Sequence, residues 1–267
     1  MKHSSVSLRM RSSQVACLTV ALLGCGPTDK EKAESAYQAR KHAALTVLDT
    51  NRDAYTTVLE PVIKAVVANP PPVTADGVLG IAAPLIDWAN GGNTIVLMEW
   101  TAKSAAQKER LRPSTRDGKK EWYGLWEYHS TTYPADAISY WSGESKFSQL
   151  GNADDAKAVV DHIRRLQYVV VIRVLAFDAP QIKDTYDSST KHVIPGHVVA
   201  EARIFDTKGA DHGGFVFEGT HSGNASGRDM SQLSSALEHD LALGGEAAFQ
   251  EKLAKLVPGS NVVFALK

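Results

Sequence analysis

Asp49, Asn51, Asp53 and Glu60 stand at positions 1, 3, 5 and 12 of a twelve-residue run. At that spacing, hard oxygen ligands can wrap Ca²⁺ between two helices. The sharp turn of such a loop needs glycine at position 6, where this chain has Ala54, and Thr56 fills the usually aliphatic position 8. Tyr55, Val58, Leu59, Val62, Ile63 and Val66 also form an apolar stripe at helical spacing that begins inside the run. The run is therefore read as a charged turn between helices, and no metal is expected there. His192, His197, His212, His221 and His239 crowd the last third of the chain. Zinc needs three or four converging ligands, and no H-E-x-x-H spacing occurs, so these are read as loop and surface histidines. Ser142, Ser222 and Ser226 each neighbour a glycine without completing G-x-S-x-G. Asp184 with Asp187, and Glu201 with Glu218, could serve acid–base chemistry, but nothing separates them from solvated loop and sheet positions. No catalytic residue is assigned. Neither phosphate-binding glycine motif is present, so no nucleotide cofactor is implied.

One further cluster is compositional. Trp122, Tyr123, Trp126, Tyr128, Tyr133, Tyr140 and Trp141 place seven of the chain's twenty aromatic residues within twenty positions. Buried, they make a core of large side chains, which is the first reading. Exposed, Trp122, Trp126, Tyr128 and Trp141 would offer a platform for sugar rings or a partner surface. The preceding stretch carries Lys103, Lys108, Arg110, Arg112, Arg116, Lys119 and Lys120 against three acids. It reads as a solvated basic segment, with anionic headgroups or cell-wall phosphates as the alternative contact.

The most specific signal lies near the N-terminus. Lys2, Arg9 and Arg11 precede a ten-residue run, Val15 to Gly24, whose only polar residue is Thr19, and no acid precedes it. A basic segment followed by a short apolar run is the layout of a secretory signal. The run is too short to span a bilayer, which takes about 20 apolar residues. It closes on Leu22-Leu23-Gly24-Cys25, which resembles the lipobox of bacterial lipoprotein precursors. The resemblance covers residues 1–26. It implies cleavage before Cys25, a diacylglycerol thioether on that thiol and acylation of the new amine. Two or more acyl chains anchor a protein stably, where one does so only marginally. Gly26, rather than Asp, after the cysteine implies an outer-membrane destination in a Gram-negative envelope.

Loss of that segment carries consequences for the rest of the chain. Cys17 and Cys25 are the only cysteines, so the mature domain would hold no disulfide or thiolate site despite an oxidising address. Its stability must come from an apolar core, for which its length is ample. Net charge moves from −1 to about −4 on losing three basic residues, which argues against a nucleic-acid partner.

The elements that must position these residues follow in order. Residues 26–32 read as a tether, and 31–49 as an alanine-rich helix. Tyr55 to Val66 forms a second, amphipathic helix that Pro61 should kink or start, and Asn69-Pro70-Pro71-Pro72 ends it in extended geometry. Thr94 to Trp100 is either strand or helix. Ala156 to Leu166 carries a helical stripe, with Asn152 or Asp154 as cap. Tyr168 to Leu175 is apolar on both faces and so reads as a central strand. Val198 to Phe205 alternates an apolar face with a mixed one, then Asp206 to Gly214 turns into the returning strand Phe215 to Glu218. Helices at 231–241 and 246–256 are expected, parted by Gly244-Gly245, with a final strand at 261–266.

The expected organisation is a signal segment (1–25), a tether (26–32), a helix-rich part (33–100), a basic and aromatic connector (101–150) and an α+β core (151–267). The fold class is α+β: an N-terminal helical pair, then a mostly antiparallel sheet packed with helices. The expected function is that of a lipid-anchored envelope protein with a non-catalytic binding or assembly domain. Its partners would be membrane lipid, through Cys25, and an envelope protein. A glycan-binding lipoprotein is the second reading and a periplasmic hydrolase the third.

Overall fold

The computed structural model describes the chain except residues 1–27, 75, 79, 89–90, 100–101, 104–105, 107–136, 139, 142–150, 185–190, 221–229 and 264–267. The connector at 101–150 and the lipobox therefore lie largely or wholly outside the described residues.

The class is α+β. Helix α1 (Asp29–Thr50) starts at a capping box: the Glu31 amide donates to the Thr28 hydroxyl, and the Thr28 amide donates to the Glu31 carboxylate. Those Thr28 bonds hold the Glu31 carboxyl below its usual range. The helix thus begins inside the expected tether and overruns the expected end by one residue. Only Ala44 and Leu48 are buried along it, while Asp29 to Arg40 are all exposed. A short α2 (Arg52–Ala54) widens into a π-turn at Tyr55–Leu59 before α3 (Glu60–Val67). Pro61 has no N–H to return to the preceding turn, so the Glu60 amide reaches back five residues to the Tyr55 carbonyl. That turn is the form the expected irregularity takes.

The main sheet has five strands: β1 (Gly77–Val78), β2 (Thr94–Met98), β3 (Tyr168–Asp178), β6 (His197–Asp206) and β7 (Asp211–Thr220). Their order is β1-β7-β6-β3-β2, antiparallel throughout except for the parallel β2–β3 pair. Helix α4 (Ala153–Arg165), capped by the Asn152 side chain, lies on the connection between those parallel strands. Strands β4 (Gln181–Asp184) and β5 (Lys191–Ile194) form a separate hairpin. β3 lies between β6 and β2, and over Tyr168–Ile172 both its faces are covered, as that apolar run requires.

Each face carries its own core. Val169, Val171, Ile95, Leu97 and Phe205 pack under Val159 and Ile163 of α4, Leu48 of α1 and the Val58–Val66 stripe. On the other face, Val170, Ile172, Ala200, Ala202, Ile204, Phe215 and Phe217 pack under Leu241, Phe249 and Leu253 of helix α5 (Met230–Leu256).

Two expectations need correction. The C-terminal helices are one continuous helix, α5, and Gly244-Gly245 do not separate them. These glycines let the helix backbone press against β7. A Cβ on Gly244 would lie 2.1 Å from the Thr220 carbonyl oxygen, and one on Gly219 would lie 2.4 Å from the Gly245 Cα. The other correction concerns the expected last strand, which is only an isolated bridge from Asn261 to Ile86 within the described residues.

The glycine contact is testable. Gly244→Ala gains about 1 kcal/mol of helix propensity but forces the helix off the strand, an overpacking cost of about 1–3 kcal/mol. Urea denaturation should show a net loss of stability, where a glycine that merely interrupted helix would show a gain.

Candidate functional site

The mixed face of β6 holds the least ordinary chemistry in the fold. Glu201 points into the interior between two arginines and is 1% exposed. Its Oε1 lies 3.3 Å from Arg173 Nη1 on β3 and 3.5 Å from Arg203 Nε on its own strand. Arg173 also donates to Glu99 at 2.8 Å, and Arg203 pairs with Asp211. Glu201 Oε1 and Arg203 Nε are held by charge without a hydrogen bond, and further donors and acceptors of the cluster go to the proline segment. Arg173 donates to the Pro70 carbonyl at 3.1 Å, Arg203 donates to the Pro71 carbonyl, and the Val73 amide donates to Glu201 Oε2 at 2.8 Å. Proline offers a carbonyl but no N–H, so an extended Pro-Pro-Pro run is an acceptor-only strand, matched here by two guanidinium groups. The result is a strap, residues 69–74 and 76, clamped across the sheet by buried charge.

Past the clamp, the strap reaches the outer edge of β7. There the Asp76 carboxylate accepts the Val216 amide at 3.2 Å and pairs with Lys252 of α5. The Lys252 hydrogen bond, helped by that amide, holds the Asp76 carboxyl below the usual carboxylate range. A group lowered in the folded state adds stability above its unfolded pKa and loses it as pH falls through the folded value. This pair therefore tightens the strap at neutral pH and releases it in acid. Beyond it opens a groove of about 570 Å³, lined by Val73, Thr74, Val216, Phe217, Glu218 and Lys252, with Lys255 and Glu251 on the helical wall. That volume falls in the range of roughly 300–1,000 Å³ common to ligand clefts.

The residues singled out by type fare differently. Trp141 is core: it is 1% exposed, its Nε1 donates to the Leu48 carbonyl at 2.9 Å, and its ring packs 5.8 Å from Tyr55. It is thereby removed from any sugar platform. Trp122, Trp126 and Tyr128 lie outside the described residues, as do Leu22, Leu23, Gly24, Cys25, Ser142, Ser222, Ser226, His221 and Asp187. The calcium-like oxygens diverge, since Tyr140 takes Asp49, Arg164 takes Asp53 and Lys64 takes Glu60, while the Asn51 amide caps Val47. Among the described residues no cluster of potential metal ligands forms. His212 packs edge-on against Tyr168 beside Asp206, 3.5 Å away, and His197 lies 3.5 Å from Glu218. Glu201 and Glu218 are not a pair: one is buried in the clamp, the other exposed at the groove. Of the basic segment, the described Lys103 is paired with Glu99 at 2.9 Å. Sequence reasoning missed the clamp, although two opposite charges on one face of an otherwise apolar interior strand were its visible sign.

The clamp carries a stability prediction. Glu201→Gln removes the buried charge that Arg173 and Arg203 share and leaves each only its outer partner, Glu99 or Asp211, a loss of about 3–5 kcal/mol by the usual cost of breaking a buried pair. Urea denaturation at neutral pH would read it, and a change under 1 kcal/mol would contradict the clamp.

No family model matches the chain, and no curated protein does. Among solved structures, it is similar to a hypothetical protein, CT253, from Chlamydia trachomatis. That match has 12% identity and a TM-score of 0.25, and covers 67% of this chain and 100% of the other. At that level the likeness carries no argument about fold or function.

Proposed function

We propose that this chain is a lipid-anchored protein of the bacterial envelope whose α+β domain binds a partner and does not catalyse a reaction. The observation that carries the reading is Leu22-Leu23-Gly24-Cys25 closing a short apolar run behind a basic N-terminus. The local structure is compatible with an anchor at Cys25. The Thr28 cap stands three residues after that cysteine, and the exposed Asp29 to Arg40 portion of α1 would set the domain off a lipid surface by roughly 18 Å, at 1.5 Å per residue. Among the described residues no helix is long and apolar enough to cross a membrane.

Binding is favoured over catalysis by where the titratable groups sit. Glu201 balances two arginines and holds the strap, and His212 packs against Tyr168 at the β6–β7 turn. Among the described residues the groove at β7 is an open concavity, and its two lysines are already paired with Asp76 and Glu251.

Labelling with radioactive palmitate in a bacterial host checks the anchor. The parent chain should take up label and sediment with membranes, and Cys25→Ala should do neither. Equal labelling of both, or of neither, would remove the lipoprotein reading.

A further inference from the structure

β7 is flanked by β6 along its length on one side, but on the other it is paired only at its start. Gly77 and Val78 of β1 stand opposite Gly214 and Gly213, and no described strand continues past them. The next outward donor, the Val216 amide, is met by a side chain: the Asp76 carboxylate takes the place a strand carbonyl would occupy. In an antiparallel ladder, outward-facing and inward-facing backbone groups alternate. Since Val216 N–H faces out, so do the N–H and C=O of Glu218, while those of Phe217 face β6, opposite Ala200. Among the described residues the strap makes no backbone-to-backbone hydrogen bond to this edge, and the groove of about 570 Å³ lies between them and helix α5.

The wall chemistry narrows the occupant. Lys252 is bound to Asp76 and Lys255 to Glu251, and Glu218 lies at the rim. Both lysines of the lining are thus engaged by carboxylates, and neither is left to fix an anion, while Glu218 leans on His197, outside the groove. What is left to recognise is backbone: an edge that already carries one antiparallel strand and one carboxylate acting as a strand acceptor. From this we infer that the groove takes an extended polypeptide segment, added to β7 as a further strand continuing the line of β1. Main-chain hydrogen bonds to Glu218 and the Val216 carbonyl supply the affinity, and alternate side chains of the ligand face Lys252 and Lys255 on one side and Val73 and Thr74 of the strap on the other.

This gives a ligand class to the binding reading above, yet stands apart from the anchor, because the groove is the same whether or not Cys25 is acylated. The test uses the full-length chain in mild detergent and a phage library of random twelve-residue peptides, followed by synthetic copies of the enriched peptides. Glu218→Pro removes the outward N–H while sparing the β6 ladder, a change an edge strand tolerates. Glu218→Ala removes the side chain and keeps the N–H. The parent should enrich peptides that Glu218→Ala binds within about threefold and Glu218→Pro binds about tenfold or more weakly. Both variants should keep the parent's circular dichroism spectrum. A Glu218→Pro chain that loses that spectrum is replaced by a chain whose Glu218 amide is N-methylated by semisynthesis, read the same way. No enriched peptide, equal binding by the proline or N-methyl chain, or equal loss in Glu218→Ala would each overturn the inference. Cys25→Ala should bind the peptides as the parent does, so failure of the anchor and failure of the groove give different results.

Discussion

The constraint on which this fold turns is one carboxylate that cannot leave the interior uncompensated. Glu201 sits on an interior strand, and its charge is tolerable only because Arg173 and Arg203 flank it. Two guanidinium groups bring more donors than one carboxylate can accept, and Glu99, Asp211 and the proline carbonyls take part of the surplus, while Arg203 Nε makes no hydrogen bond. The proline strap is thus part of the solution to a buried-charge problem. Its course from α3 to the edge of β7 follows from where those donors point, and so does the groove beyond it.

The opposite face of the sheet obeys a different rule. There the closest approach is backbone on backbone, with Gly244 and Gly245 of α5 against Gly219 and Thr220 of β7. This places the helix low over the strand and brings Lys252 and Lys255 to the edge, where Lys252 meets Asp76. One face therefore sets the strap and the other sets the helical wall, and the groove is where the two meet. The proposed peptide site is the edge that neither of these described layers covers.

Much of the frame was legible in the sequence. The apolar run Tyr168–Ile172 of β3 announced a strand covered on both sides, and the alternation in β6 announced one face made for a helix. The Tyr55–Val66 stripe outweighed the calcium-like spacing because period and burial act over many residues, whereas a motif rests on a few. What escaped the reading were contacts between distant segments. Gly244-Gly245 looked like a stop because glycine ends helices, and only the tertiary approach of β7 shows why it lies within one. Trp141 belonged to an aromatic cluster by composition, but its place under α1 depends on Leu48, far away in the chain. Thr94 to Met98 was ambiguous because an apolar strand buried on both faces lacks the alternation that marks strands. Pro70 to Pro72 signalled extension but not the arginines it would cross, and nothing in the local pattern of Phe215 to Glu218 marked β7 as lying near the sheet edge.

Residue-resolved amide hydrogen exchange in the full-length chain tests the central claim most directly, because it reads each backbone donor along β7. The account predicts strong protection at Phe217, whose amide faces β6, weaker protection at Val216, held by the Asp76 carboxylate, and fast exchange at Glu218, which faces the groove. Protection at Glu218 equal to that at Phe217 would mean the edge is already filled by another part of the chain, and would contradict it.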